Sequence, residues 1–294
     1  MAEVPLSLAE KTFILHGVDA NFRNDGRSRT DYRCMELETK LMDQVHGSAR
    51  LRIGNTDILV GVKVEIDTPY PDSPNEGKIE FFVDCLNISA NATPSFEGKG
   101  GEDLANEISN MLALAYQSPH AMNLSQLSIL PHKKCWKLYV DILILECGGN
   151  LFDAVAVAVK AALYSTEIPK VKGAMLDGGE ADIVLSDDIY ESEKLDTTNC
   201  PVLVTLCKIG DNCVVDPSSE EEMCSSANIV VSVMPNGRIS SIVKMGYGSL
   251  QPATLSKILK MGTSVGIDLN KGILSALKSE DKLGANREIV GFLR

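Results

Sequence analysis

Four short segments carry the residue types that could do chemistry. The first is Arg23-Asn24-Asp25-Gly26-Arg27, continuing through Arg29 to Arg33. Asp-Gly is a turn dipeptide, and guanidinium groups around it could grip phosphate oxygens in pairs. The same pattern also fits a solvated loop with internal Arg–Asp pairs. The second segment, Gly98-Lys99-Gly100-Gly101, opens a helix. A helix N-terminus with flanking glycines can receive an anion, but no Gly-Lys-Ser/Thr follows at nucleotide-loop spacing, and a flexible helix entry explains it as well. The third, Gly148-Gly149-Asn150, joins an apolar strand to an apolar helix and could either cradle a phosphate or only turn the chain. The fourth, Asp216-Pro217-Ser218-Ser219-Glu220-Glu221-Glu222, could supply a carboxylate for Mg²⁺ or proton transfer. It could equally be a helix start whose acids complement the dipole.

Metal and nucleophile chemistry finds little support. The eight cysteines form no C-x-x-C, and the four histidines, His16, His46, His120 and His132, stand at no ligand spacing. Reduced, mostly buried thiols are expected, with no metal and no cofactor. The start of the chain lacks a basic segment followed by an apolar one, and the longest apolar stretches are too short to span about 30 Å of hydrocarbon. A soluble, non-secreted chain with no membrane partner is expected.

The elements that must position these segments follow from periodicity. Residues 6–16 read as a helix, and so do 31–46, where Leu37, Leu41 and Val45 recur at helical spacing. Strands are expected at Ser48–Ile53 and Asp57–Ile66 around a Gly54-Asn55 turn, then at Lys78–Ala90 and Trp136–Glu146. Leu104, Ile108, Met111, Leu112 and Ala115 form one apolar stripe of a helix beginning near Glu102. Leu151–Tyr164 is apolar nearly all round, which places that helix between layers. Strands follow at Asp182–Leu185, Val202–Ile209, Cys213–Val215, Asn228–Met234 and Arg238–Met245. A closing helix runs from Pro252 to about Lys278, and Ser186–Asn199 reads as an exposed acidic connection. Strands then helices, twice, give an α+β chain with mixed sheets in two similar halves.

Composition agrees. The chain has 294 residues, 44% hydrophobic and 23% charged, with a net charge of −12. This excludes a collagen, a disulfide scaffold or wholesale disorder. A chain of this length buries about 75% of its unfolded surface. The charge is local: 13 acids and two bases lie between Asp177 and Glu222, while nine bases and four acids lie from Pro235 to Arg294. The total therefore does not by itself exclude nucleic acid.

Taken together and in this order, the four segments resemble the RNase PH family over nearly the whole chain. The marks are Arg23, Asp25, Gly26 and Arg27; Gly47-Ser48-Ala49 with Gly54-Asn55-Thr56; Gly148-Gly149; and the acidic run at Asp216. Gly148-Gly149-Asn150-Leu151-Phe152-Asp153-Ala154, with Ala161-Ala162-Leu163-Tyr164, is similar to the non-catalytic ring subunits of the RNA exosome. The resemblance implies an RNase PH-like (ribosomal S5 domain 2-like) fold, one domain over 1–294 with halves at about 1–170 and 171–294. It further implies a ring of RNase PH-like subunits with cap proteins, single-stranded RNA in a central channel, and residence in nucleus, nucleolus and cytoplasm.

Active members of the family use inorganic phosphate to attack the terminal phosphodiester of RNA. Their phosphate turn reads Gly-Gly-Thr/Ser-Arg, and here Asn150 and Leu151 stand in it. Their RNA-binding helix carries arginines where this chain has Asn110, Leu114 and Gln117, one uncharged face. Asp216 and Glu222 stand roughly where the two active-site carboxylates would be. The resemblance therefore implies a degenerate site with no catalytic residue. RNA contact is expected from Arg23, Arg27, Arg50, Arg52 and Lys99. The alternatives are an active phosphate-dependent 3′→5′ exoribonuclease, resting on Asp216, Glu222 and the Arg23/Arg27 loop, and a small-molecule kinase on a related scaffold.

Overall fold

In the computed structural model, residues 6–85, 99–175, 181–185 and 191–284 are described. Helix α1 (Leu8–Asp19) starts at a capping box between Ser7 and Glu10. The chain then loops through the Arg23–Arg33 segment into β1 (Met35–Thr39), β2 (Gly47–Ile53), β3 (Thr56–Asp67) and β4 (Lys78–Asp84). Helix α2 (Lys99–Tyr116) and strands β5 (Ser128–Leu130) and β6 (Lys134–Glu146) follow. These strands form a six-stranded sheet ordered β1-β2-β3-β6-β4, with β5 also on β6. It is a mixed sheet, because β4 runs parallel to β6 while the other pairs are antiparallel.

Helix α3 (Leu151–Ser165) is buried along almost its whole length, with Ala154, Val155, Ala158, Val159, Ala161 and Ala162 at 2% exposure or less. It packs against β2 and β3 on one side and β11 (Val202–Ile209) on the other. A helix apolar nearly all round is stable in water only between two such layers. Gly47 lets β2 approach it, since a Cβ there would lie 2.6 Å from the Ala162 carbonyl oxygen.

Beyond α3 come β7 (Glu167–Pro169), β8 (Val171–Met175), β9 (Ala181–Leu185) and β10 (Ser192–Lys194), paired β7–β10 and β8–β9. Then follow β11, β12 (Asn212–Val215), the short α4 (Ser219–Cys224), β13 (Ala227–Val233), β14 (Ile239–Met245) and α5 (Pro252–Leu283). The second sheet, β12-β11-β13-β14, is antiparallel throughout. Alternation on β11 separates its faces. Thr205 bonds Asp153 of α3, while Val204 and Leu206 join Val231 and Val233 under α5. Gly262 and Gly266 bring α5 close, with Leu206 and Val233 at 3.0 and 2.7 Å from a Cβ there.

Four expectations are corrected. Residues 31–46 hold strand β1 and a loop, not a helix: Met35, Leu37 and Thr39 lie on one face at period two, with Leu37 paired to Leu51. The strand at Lys78 is β4 and ends at Asp84; residues 86–90 lie outside the described ones. Sheet mixing is confined to the first sheet. The stretch 186–199 is not simply an exposed connection, because Ser192–Lys194 forms β10 and Leu195 and Thr197 are buried. Its residues 186–190 lie outside the described ones. All eight cysteines are free thiols: Cys85, Cys135, Cys200 and Cys207 are buried and Cys34 is exposed. No described helix is long and apolar enough to cross a membrane.

Candidate functional site

The site is built on the turn that joins β6 to α3. Gly149 takes φ +95° and packs so closely on α4 that a Cβ would lie 2.6 Å from the Ser219 nitrogen. Asn150 follows in the left-handed region at φ 55°, which asparagine tolerates better than most residues. Its side-chain Nδ2 donates to Asp153 Oδ2 at 3.0 Å and to Asp216 Oδ1 at 2.8 Å, while Oδ1 is buried without a partner among the described residues. Its backbone N–H donates to Glu222 Oε1 at 2.8 Å. Leu151 turns into the core at 6% exposure. The turn thus presents an amide and an apolar side chain, neither of which can neutralise phosphate.

The arginine loop closes over the turn. Arg33 donates from Nε and Nη2 to the two oxygens of Asp216, at 3.0 and 2.8 Å, and its backbone N–H adds a third bond at 2.8 Å. Its Nη1 and Nη2 also donate to the Gly148 and Gly149 carbonyl oxygens, both at 2.9 Å. Arg27 reaches Asp216 Oδ2 at 2.9 Å and also pairs with Asp25. Burial pushes the fully enclosed Asp216 carboxyl up, but the bonds and charge of Arg33 outweigh it and hold the group below the usual carboxylate range. Asp216 itself sits at φ 48°.

Two other carboxyls go the opposite way. Burial raises Asp153 to about 6, against bonds from Thr205, Asn150 and Tyr32. Burial likewise raises Glu222 to about 7, against the Asn150 N–H and the Arg33 charge. Tyr32 Oη donates to Asp153 Oδ2 at 2.8 Å, and Thr205 Oγ1 donates to Oδ1 at 2.6 Å. Loop, turn, α3, α4 and the second sheet thereby share one polar knot.

Arg23 is turned inward at 1% exposure. It grips Glu221 with Nε at 2.8 Å and with Nη2, and donates to the Val215 and Asp216 carbonyl oxygens at 2.9 and 2.8 Å. An enclosed guanidinium with these partners has no donor left for a strand of RNA. Arg27 is mostly covered, with its side chain 12% exposed. Arg50 pairs with Asp57 at 3.0 and 2.6 Å on the face of β2 and β3. Arg52 is exposed on β2. Lys99 heads α2, but its side chain lies outside the described residues. Asn110 and Leu114 on α2 and Gln117 just beyond its end are exposed, with Leu114 at 47%. Among the described residues no group of three or more His, Cys, Asp or Glu is arranged to hold a metal ion.

The structure brings Asn150, Asp216 and Glu222 together and adds Arg27, which the sequence offered as an RNA contact; Arg33, Asp153, Glu221, Tyr32 and Thr205 join them without having been singled out from the sequence. One signal was readable: Ser218 with Glu221 is a capping box, each side chain meeting the other's backbone N–H. The acidic run is therefore not a freely solvated helix start, because Glu221 also neutralises the buried Arg23.

Comparison with known proteins agrees with this architecture. Models of the 3′ exoribonuclease family match residues 31–169 (domain 1) and 199–265 (domain 2). The chain is 33% identical to the putative exosome complex exonuclease RRP42 of Dictyostelium discoideum, over 90% of this chain and 95% of that one. It is 36% identical to the exosome complex component Rrp42 of Sulfurisphaera tokodaii, over 83% and 86%. Among solved structures it resembles a chain of an archaeal exosome core at 25% identity and TM-score 0.74, covering 90% and 96%. It also resembles a chain of the Archaeoglobus fulgidus exosome with RNA bound to the active site, at 26% identity and TM-score 0.76, covering 90% and 97%. With both domain models matched in order and relatives of this identity covered almost end to end, the chain belongs to the RNase PH, or 3′ exoribonuclease, family.

Proposed function

We propose that this chain is a non-catalytic RNase PH-like subunit of the RNA exosome ring, supporting 3′→5′ RNA processing and degradation by the assembly. The observation that carries this reading is the state of Asp216. Its carboxylate accepts from Arg27, Arg33 and Asn150 of its own chain, and Leu151 fills the position of the phosphate-binding arginine. Phosphorolysis needs preorganised cationic donors aimed at the attacking phosphate, and removing such donors costs several kcal/mol of transition-state stabilisation. Here Arg33 is committed to Asp216. Arg27 spends Nε and Nη1 on Asp25 and Asp216, while its Nη2 is buried without a partner among the described residues. Asn110 and Leu114 on α2, with Gln117 just past it, stand where charge would be needed. The names of the curated relatives support the assembly.

In this reading the whole chain is one RNase PH-like domain, its halves at about 1–170 and 171–294 joined by α3. Its partners are other RNase PH-like ring subunits and cap proteins, with single-stranded RNA passing through the channel. Nucleus, nucleolus and cytoplasm are its compartments. Among the described side chains Arg52 is the exposed member of the proposed channel contacts, with Arg50 beside it and Lys99 at the head of α2. The reading is tested by mixing the pure chain with RNase PH-like partner subunits and measuring mass by light scattering. Formation of a ring-sized complex is expected, and persistence as a separate monomer sinks the proposal.

One observation favours a second reading, an active phosphate-dependent exoribonuclease. Glu222, raised to about 7, is a carboxylic acid able to hold or give a proton near neutrality. Release of nucleoside diphosphates from RNA decides between the two.

A further inference from the structure

Helix α5 is 32 residues long and buries one side against the second sheet through Ile258, Gly262, Gly266, Asn270, Ile273 and Leu277. Its other side carries Lys257, Lys260, Lys271, Lys278 and Lys282, all exposed. At 3.6 residues per turn these five fall within about 60° of arc, along about 37 Å of helix. Among the described residues only Lys271 has an ion-pair partner, Asp268 at 3.4 Å, itself exposed within the stripe. The other nearby acids are engaged elsewhere: Asp281 with Tyr164 and Lys194, and Glu280 with the Thr39 N–H. Between the lysines stand Ser264, Ser275 and Ser279, too small to obstruct them.

The geometry points to this stripe as a docking track for the phosphate backbone of single-stranded RNA on the outside of α5, apart from the polar knot at Asp216. The inference rests on the reading of the chain as a component of an RNA-processing assembly. The residue types choose the occupant. Protein interfaces are depleted in lysine and enriched in aromatics and arginine, and α5 has no aromatic and no arginine. Lysine acts as a mobile point charge, suited to a flexible chain of phosphates and unable to read bases. Leu255 and Leu283, the large apolar side chains it exposes, lie at its two ends.

Each lysine that neutralises a phosphate releases counterion, so binding should weaken with salt by about 0.7 in log–log slope per contact on a single strand. The test is fluorescence anisotropy of a labelled, mixed-sequence single-stranded RNA with the full chain, between about 50 and 200 mM salt. Lys260→Gln/Lys271→Gln/Lys278→Gln should bind at least about tenfold more weakly, with a slope shallower by about 2. Glutamine keeps helix propensity, and a thermal melt verifies the fold. The control Lys63→Gln/Lys170→Gln, away from α5, should leave slope and affinity unchanged. Equal slopes for stripe variant and wild type, no RNA binding by the wild type at the lowest salt, or tighter binding of polyglutamate of matched charge would each overturn the inference. Light scattering of the same proteins with ring partners reads the underlying assignment separately. Assembly with unchanged RNA binding removes the track alone, whereas failure to assemble removes the assignment.

Discussion

Arg33 and Asp216, 183 positions apart, are joined by two side-chain bonds of 2.8 and 3.0 Å and by the Arg33 backbone N–H at 2.8 Å. This clamp ties the first arginine loop to the start of the second half's acidic run, over the turn that begins α3. The clamp joins the arginine loop to the acidic run, and both to the Gly148-Gly149 turn.

Removing one side of such a pair should cost more than replacing both. Asp216→Ala leaves Arg27 and Arg33 without their carboxylate and should lose about 3 kcal/mol or more. Arg33→Met/Asp216→Leu should lose less than the sum of its single changes, since the cycle removes both charges together. Urea unfolding of the four proteins measures this. Additive losses would show that the two residues do not act as a unit.

Glu222 makes the protein sensitive to pH in a definite direction. Its folded value of about 7 lies above the ordinary 4.5. Between those values the folded state holds a proton that the unfolded state has released, so stability should fall as pH rises from about 4.5 to 7. Asp153, raised to about 6 from 3.8, adds a fall over its own window. Asp216, held low, acts oppositely: its contribution is present above pH 3.8 and disappears as pH falls further. Glu222→Gln should flatten the profile between pH 4.5 and 7 in denaturant titrations. An unchanged slope there would exclude Glu222 as its source.

Lys160 is buried at 1% exposure in the middle of α3, donating to the Cys200 carbonyl oxygen at 2.7 Å and to Asn270 Oδ1. Asn270 passes the link on to the Val233 carbonyl oxygen at 3.1 Å, so α3, α5 and β13 share one bond chain. Burial lowers the lysine to about 8 from 10.5. In that window the unfolded state binds the extra proton, and stability should rise with pH. Lys160→Met should abolish the rise and cost about 1–3 kcal/mol at pH 7 for the acceptors left unpaired.

Gly149→Ala should be disproportionately damaging for so small a change. The position needs φ +95°, and the new Cβ would meet the Ser219 nitrogen at 2.6 Å. A loss of about 1–3 kcal/mol is expected from the backbone alone. Gly284→Ala, with nothing within 4 Å of its Cβ but also at positive φ, separates strain from contact. Equal losses at both positions would remove the contact from the account.

Much of this architecture was legible because burial writes itself into period. Leu151–Tyr164, apolar all round, could only be an inner helix, and the β2–β3 hairpin followed from alternation about Gly54-Asn55. Residues 31–46 misled because Leu37, Leu41 and Val45 mimic a helical stripe, while the strand's real partner, Leu51, is set by pairing that local spacing does not encode. The site was half legible for a similar reason. Family motifs marked Asn150, Leu151 and Asp216, but Arg33, Asp153 and Glu221 gain their roles from partners 183, 52 and 198 positions away. The lysine stripe was visible only as a charge excess until α5 was seen as one helix with one buried side.

In the proposed function the chain builds a ring without cutting RNA. The most direct measurement is phosphate-dependent release of nucleoside diphosphates from 5′-labelled RNA in Mg²⁺. It should use the chain assembled with RNase PH-like partners whose own phosphate sites have been inactivated. No release above the no-phosphate control is predicted. Steady release that disappears on Asp216→Ala or Glu222→Gln would contradict the account.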